Sequence, residues 1–236
     1  MPWGTATINQ YAVITITNYT ITNKRPDKKI IIFIITFSIG LPIYCRFFYY
    51  LQIEALELPQ KTGLTFSQIK VAYDEVMDYC LGFRPDFSAG ILAYSERGAS
   101  HFADVRLLFF LDFIIIGCSA IALTVISIVL KKKRLTPHKF LGRSAPFWSV
   151  ASIGTVCAVI GVACAINFRK TFIFLHKLFF IGKDNWSFNP STDPIIRLLP
   201  NQFFSNCAVF IFSVIAIISV AILLYEFLPR NRKNNE

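Results

Sequence analysis

Imidazole is the side chain best suited to acid–base work near neutral pH, and this sequence has three histidines. His138 lies in a basic run and reads as a surface residue. His101 stands about one turn before a long apolar run, and His176 stands inside the aromatic segment Phe172, Phe174, Leu175, Leu178, Phe179, Phe180. Two readings are open for them: an acid–base pair, or two residues that each hydrogen-bond a neighbour. Asp104 shares a helix face with His101 at i, i+3, so it either orients the ring or serves the helix dipole as a cap. His101, Asp104, His176 and Asp193 also offer donors that zinc accepts, although no His-x-x-x-His pair accompanies them. Asp112, two turns deeper in the run, is an acid within apolar surroundings, where function is the default reading. Its partner would be Arg106 or a polar group of another helix. A Gly-x-Ser-x-Gly elbow and the Walker and dinucleotide glycine patterns are all missing, which sets aside those hydrolase and nucleotide chemistries.

The elements that must carry these residues are membrane helices. Of the 236 residues, 54% are hydrophobic and only 16% charged, well below the quarter or so typical of soluble domains. Four runs are long enough, at roughly 20 residues, to cross the hydrocarbon: 30–51, 105–130, 146–167 and 204–228. Each is expected to be a helix, because an isolated strand would leave backbone groups unpaired in lipid. The remaining segments are then a 1–29 tail, a 52–104 cap, a basic 131–145 loop, a 168–203 interfacial segment and a 229–236 tail. The first run is too long, too far from the start and too poor in small residues at its end to read as a cleavable signal peptide.

Charge sets the expected orientation. Lys24, Arg25, Lys28, Lys29, Lys131, Lys132, Lys133, Arg134, Lys139, Arg143, Arg230, Arg232 and Lys233 are thirteen of the 24 basic residues, and all would lie on one side. Only Asp27, Glu226 and Glu236 of the 14 acids join them, so the whole net charge of +10 falls there. The positive-inside rule makes that side the cytoplasm, with both termini in it (N-in/C-in) and the cap outside. The basic residues flank apolar runs and form no patch interleaved with exposed aromatics, so nucleic acid is not an expected partner.

Within the cap, Phe66, Ile69, Tyr73, Val76, Met77 and Cys80 recur at helical spacing, and Gly82 follows as a C-cap. The helix would lay its apolar face on the membrane or on the rest of the cap. The stretch from Phe87 to Glu96 is short and mixed, and is expected as a strand leading to the second span. In the interfacial segment Trp186 and Phe188 add to the aromatic run, and Pro190, Pro194 and Pro200 break the chain before the last helix. Cys118, Cys157, Cys164 and Cys207 fall in predicted spans, where a thiol acts as a small apolar group, while Cys45 and Cys80 are a conceivable outer-face pair.

Two motifs resemble one family. Phe87-Ser88, then Tyr94-Ser95-Glu96-Arg97 and His101-Phe102-Ala103-Asp104-Val105, resemble the first signature of the bacterial lipoprotein intramolecular transacylases. His176-Lys177-Leu178-Phe179-Phe180, then Trp186-Ser187-Phe188-Asn189-Pro190, Asp193, Ile196, Leu199-Pro200 and Phe203-Phe204, resemble the second, which is long and unusual in composition. The likeness extends over roughly residues 30–228 and agrees with an all-α membrane protein of four transmembrane helices and a small extracytoplasmic cap. It implies an acyltransferase of the bacterial cytoplasmic membrane with its active site on the outer face. The implied reaction moves an acyl chain from the sn-2 ester of a diacylglyceryl lipoprotein to the α-amino group of its N-terminal cysteine, giving the lyso-form. The implied partners are diacylglyceryl lipoproteins and membrane lipid, and neither a cofactor nor a metal is implied. His101 and His176 fall on the family's two essential histidines. Asp104, Asp193, Glu96, Arg97 and Ser95 would support them, and Trp186, Phe179 and Phe180 would line the substrate pocket. The chain departs from the family pattern at Gly98, where an acid is expected, and at Phe102, where a methionine is. A membrane metalloenzyme and a non-enzymatic binding or accessory protein stand as alternatives.

Overall fold

A computed structural model describes residues 26–134 and 139–228. The expectations for His138 and for most of the two tails lie outside the described residues. The described residues form helices α1 (Lys28–Tyr44), α2 (Phe47–Ala55), α3 (Leu58–Thr62), α4 (Phe66–Cys80), α5 (Glu96–Lys132), α6 (Ala145–Phe179) and α7 (Asn201–Phe227), with a 3₁₀ turn at Pro194–Arg197. Three of these, α5, α6 and α7, are each long and apolar enough to cross a membrane, and α1 with α2 passes only as a bent pair.

The first run, expected as one helix over 30–51, is instead broken between α1 and α2 with a bend of 61°. Pro42 lies inside α1, where it removes a backbone hydrogen bond and crowds the preceding turn. Arg46 at the break supplies the stronger reason. Its guanidinium reaches Asp78 at 2.5 Å and Asp74 at 3.4 Å, both on α4, so the chain turns where a charge leaves the apolar run for its partners.

Helix α4 matches the expected span, with Gly82 in the left-handed region at φ 85° just beyond it. Its start has a reciprocal cap that periodicity did not reveal: Gln68 N–H donates to the Thr65 hydroxyl, and the Gln68 side-chain oxygen accepts from Thr65 N–H at 2.9 Å. Ile69, Tyr73, Val76, Met77 and Cys80 are buried, but Phe66 is exposed. The buried face packs on Tyr49 and Ile53 of α2, on Phe102 of α5, and on Ile195, Leu198 and Phe203. Tyr49 stacks on Tyr73 and donates to the Leu198 carbonyl at 2.9 Å, so this side of the molecule has a core like that of a soluble domain. Cys80 belongs to that core while Cys45 is exposed, and the two are not paired.

The strand expected from Phe87 to Glu96 does not form. A side chain holds this segment where a ladder would have done so: the Glu75 carboxylate accepts from Ser88 Oγ and from Gly90 N–H at 2.8 Å. Helix α5 also begins earlier than the expected span. Ser95 caps it by accepting from Gly98 N–H at 3.0 Å, and His101 therefore rides on the same helix that continues into the apolar run.

Helix α6 likewise outruns its expected end at Asn167. That residue has extended backbone, φ −160° and ψ 93°, and interrupts the helix. Its side chain then accepts from Lys170 N–H at 2.9 Å and restarts the helix, as Asn does at an N-terminus. Residues 168–179 form this second piece, so the aromatic segment carrying His176 is helical rather than irregular.

Between the long helices the packing is sparse. Ile34, Val150, Ile153 and Ile215 make a small second core, while Leu107, Phe113, Ile121, Val159, Ile166 and Ile217 are exposed. An outward face of this kind suits lipid rather than water. At the end away from the cap, Asp27 N–H donates to Ser149 Oγ at 2.9 Å and Ser144 N–H to Glu226 at 3.1 Å, which brings α1, α6 and α7 together.

Candidate active site

The early start of α5 and the kink in α6 together bring the two histidines face to face. Their ring centroids are 6.2 Å apart and the ring planes differ by 32°. Both line a cavity of about 660 Å³ whose walls are otherwise mostly apolar. Around the pair, Phe180 lies 4.8 Å and Phe188 5.3 Å from the His101 ring, and Trp186 lies 5.4 Å and Phe172 4.1 Å from that of His176. From the histidines the cavity follows α7 past Phe203, Phe204 and Cys207 to Ile211, and meets Ile39 and Ile43 of α1. At 1.5 Å per residue the α7 wall from Phe203 to Ile211 is about 12 Å long, enough to take much of an acyl chain.

The ring nitrogens are not equivalent. His176 Nδ1 lies 3.0 Å from the Phe172 carbonyl one turn back. A carbonyl only accepts, so Nδ1 carries the proton and Nε2 keeps its lone pair. His101 is buried, and its Nδ1 has no hydrogen-bond partner among the described residues. Both imidazoles lie outside the runs expected to span, 105–130 and 146–167, and burial pushes both below the ordinary histidine range. For His101 the neighbouring His176 adds to that effect, while the charge of Asp104 opposes it.

The acids expected to orient these rings are engaged elsewhere. Asp104 pairs with Lys183 and accepts from Asn185 Nδ2 at 2.9 Å, so it touches His101 only through its charge. Asp193 is buried and accepts from Ser95 N–H at 2.8 Å, from Ser95 Oγ and from Thr192 Oγ1. Burial alone would raise its carboxyl, but these donors outweigh burial and hold it below the usual carboxylate range. It thus anchors the start of α5 and makes no contact with His176. Gly98 is explained at the same point: a Cβ there would come within 2.2 Å of Asp193 Oδ1. Arg97 reaches the Asp184 carbonyl and carboxylate, and Glu96 is exposed on the first turn of α5.

Trp186 and Phe180 line the cavity and Phe179 does not. It is 62% exposed on the last turn of α6, whereas Phe180, the C-cap residue with non-helical backbone (φ −114°, ψ 52°), lies against His101. The sequence reading did not pick out Lys183, Asn185 or Phe172 for the site. The first two sit in an irregular turn with no periodicity, whereas Phe172 lies at i−4 from His176, a spacing that was readable. Asp112 finds its partner on another helix, Tyr44 of α1, whose hydroxyl lies 3.2 Å away. Among the described residues no group of three His, Cys, Asp or Glu side chains converges to hold a metal ion.

Comparisons with known proteins point to one family. The family model for the lipoprotein intramolecular transacylase Lit matches residues 29–204. A structure of the membrane integral lipoprotein intramolecular transacylase Lit from Bacillus cereus is 27% identical, over 84% of this chain and 89% of that one, with a TM-score of 0.74. A structure of the same Bacillus cereus protein carrying a histidine-to-alanine substitution is 25% identical, over 92% of this chain and 94% of that one, with a TM-score of 0.69. No curated protein sequence gives a significant match. With a paired-histidine cavity on an all-helical membrane scaffold, and a family model spanning most of its length, the chain belongs to the lipoprotein intramolecular transacylase (Lit) family.

Proposed function

We propose that His176 is the general base and His101 the electrophile in transfer of an acyl chain from the sn-2 ester of a diacylglyceryl lipoprotein to its own N-terminal α-amino group. The observation that carries this assignment is the 3.0 Å contact of His176 Nδ1 with the Phe172 carbonyl, from which the proton is placed on Nδ1 and Nε2 is left to accept. For His101, a buried lone pair without a partner costs less than a buried N–H without one. The proton then belongs on Nε2, which makes that nitrogen a donor to an ester oxygen. A neutral imidazole with a lowered pKa is suited to polarising a carbonyl.

The reaction then balances with two imidazoles. The α-amino group enters in its neutral form and adds to the ester carbonyl carbon as Nε2 of His176 takes one of its two protons. His101 donates to the developing oxyanion. As the C–O bond breaks, the glyceryl oxygen takes up the proton held by His176. One C–N bond forms, one C–O bond breaks and one proton moves, with no second substrate. The cavity along α7 would hold the transferred chain. Tethering nucleophile and ester in one molecule supplies proximity. Asp193, Ser95, Arg97 and Glu96 would serve at the start of α5, as anchors of the helix that bears His101.

The test is mass spectrometry of a reporter lipoprotein's N-terminal peptide, from cells lacking other N-acylation. His101→Ala or His176→Ala, each present in the membrane at normal level, should yield no N-acylated monoacylglyceryl peptide. Full activity in both variants would sink the two-histidine mechanism. A metalloenzyme has no converging ligand set to support it among the described residues.

The same reading extends to topology: four spans counting α1–α2 as one, N-in/C-in, in the bacterial cytoplasmic membrane, with the cap and the histidines on the outer face. The clustering of Lys28, Lys29, Lys131, Lys132, Lys133 and Arg143 at the end away from the cap supports it. Glu57 in the cap is exposed, so Glu57→Cys should react with an impermeant maleimide in intact cells above the level of the parent protein. Labelling only after the membrane is broken would reverse the orientation.

A further inference from the structure

The segment between α6 and the 3₁₀ turn crosses the mouth of the histidine pair, and three polar ties bind it to the first turns of α5. Asp193 holds Ser95. Arg97 holds Asp184, through its carbonyl and at 3.2 Å through its carboxylate. Asp104 pairs with Lys183 and accepts from Asn185, whose Nδ2 also lies 3.3 Å from Ser100 Oγ. The third tie stands out because Lys183 and Asn185 bracket the turn that presents Trp186, whose indole N–H donates back to the Lys183 carbonyl at 3.1 Å. Trp186 faces His176, and Phe188 faces both His101 and Phe102. The rings that separate the histidines from the aqueous side therefore depend on polar contacts outside the cavity.

We propose that Asp104, acting through Lys183 and Asn185, is the positioning residue that makes this transacylase select the amine over water. This rests on the transacylase reading and adds to it a determinant of the acyl acceptor. The two acceptors compete for one carbonyl. If water adds in place of the amine, the same C–O bond breaks, a water proton ends on the glyceryl oxygen, and the products are a free fatty acid and a lyso-lipoprotein with a free amine. An apolar cover excludes that competitor while leaving the tethered amine in reach. Asp104 itself makes no hydrogen bond with either histidine, so its loss leaves the acid–base pair in place and loosens the cover.

The experiment measures both lyso products, N-acylated and free-amine, together with free fatty acid, from a purified diacylglyceryl lipopeptide and the full-length membrane enzyme. Asp104→Asn keeps the side-chain shape but removes the charge that holds Lys183. It should raise the hydrolysed fraction of product about tenfold over the wild type. Lys183→Met tests the same tie from the other side with a half-exposed side chain and little risk to folding, and it should shift the split in the same direction. The double variant should shift it no further than the larger single effect, because both substitutions break one tie. An unchanged product split in both single variants overturns the proposal, even if total turnover falls. A wild-type enzyme that makes no N-acylated product overturns the transacylase reading itself, an outcome distinct from a failure of the cover.

Discussion

The cap side and the membrane side of this protein are built by different rules. Around α2, α4 and the start of α5, large side chains are sealed: Tyr49 and Ile53 are 1% and 0% exposed. Along the spanning helices the large side chains turn outward, and only a handful of residues meet between helices. Water drives the first arrangement, since burial of apolar surface is favourable there. Lipid removes that drive in the second, leaving van der Waals fit and a few polar contacts such as Tyr44 with Asp112. The histidines sit at the junction, which explains how His101 can be buried and His176 half-buried while both border a cavity open to an acyl chain.

The largest contrast should come from matched truncations on the two sides. Tyr49→Ala removes a stacked, fully buried ring and is expected to cost about 3–5 kcal/mol of stability, by the precedent of other buried aromatics. Ile217→Ala, on a side chain 68% exposed toward the expected lipid, should leave thermal stability in detergent nearly unchanged. Equal losses would erase the distinction between the two sides. Next in size is Gly98→Ala at the junction. Its Cβ would collide with the Asp193 carboxylate, so it should destabilise by about 1–3 kcal/mol, as overpacking does, and lower turnover with it. Asp193→Ala in the same background should restore part of the lost turnover, if collision rather than the new methyl group is the cause.

Titration gives a subtler measure. Folding lowers the pKa of both imidazoles, to about 4 for His101, so they are neutral in the native state at pH 7. Protonation favours any state that exposes them. Their contribution is therefore complete above the unfolded value near 6.5 and is lost as pH falls from there toward the folded values. Histidine NMR should show two midpoints below 6.5, and His176→Ala should move that of His101 upward. A site as wet as the cap surface would give ordinary values. The smallest expected effect is Thr65→Ala, which removes a cap at the exposed start of α4 and should cost about 1 kcal/mol in a denaturation experiment.

Much of the plan was legible in the order of residues. The apolar runs, the α4 periodicity with Gly82 after it, and the His101 and His176 motifs all depend on local pattern; three of the runs reappear as long helices and the first only as a bent pair. The misplacements also have local causes. Arg46 interrupts the first run, and Asn167 can both stop a helix and start one. Thr65 with Gln68 spells a cap. The partners of the acids were not legible. Asp104 faces Lys183 and Asn185, and Asp193 faces Ser95, across 79 to 98 positions of chain that no periodicity links.

By itself the sequence determined that this is a helical membrane protein with two histidines near one end, because hydrocarbon thickness and helical period are read directly along a chain. Tertiary structure decided which atoms of those histidines are free, where the acids point, and that Phe180 and not Phe179 closes the cavity. Such outcomes depend on how a kink at Asn167 and an early start at Glu96 rotate two helices against each other. A step of one residue at the end of α6 separates Phe180, a ring beside His101, from Phe179, which is exposed.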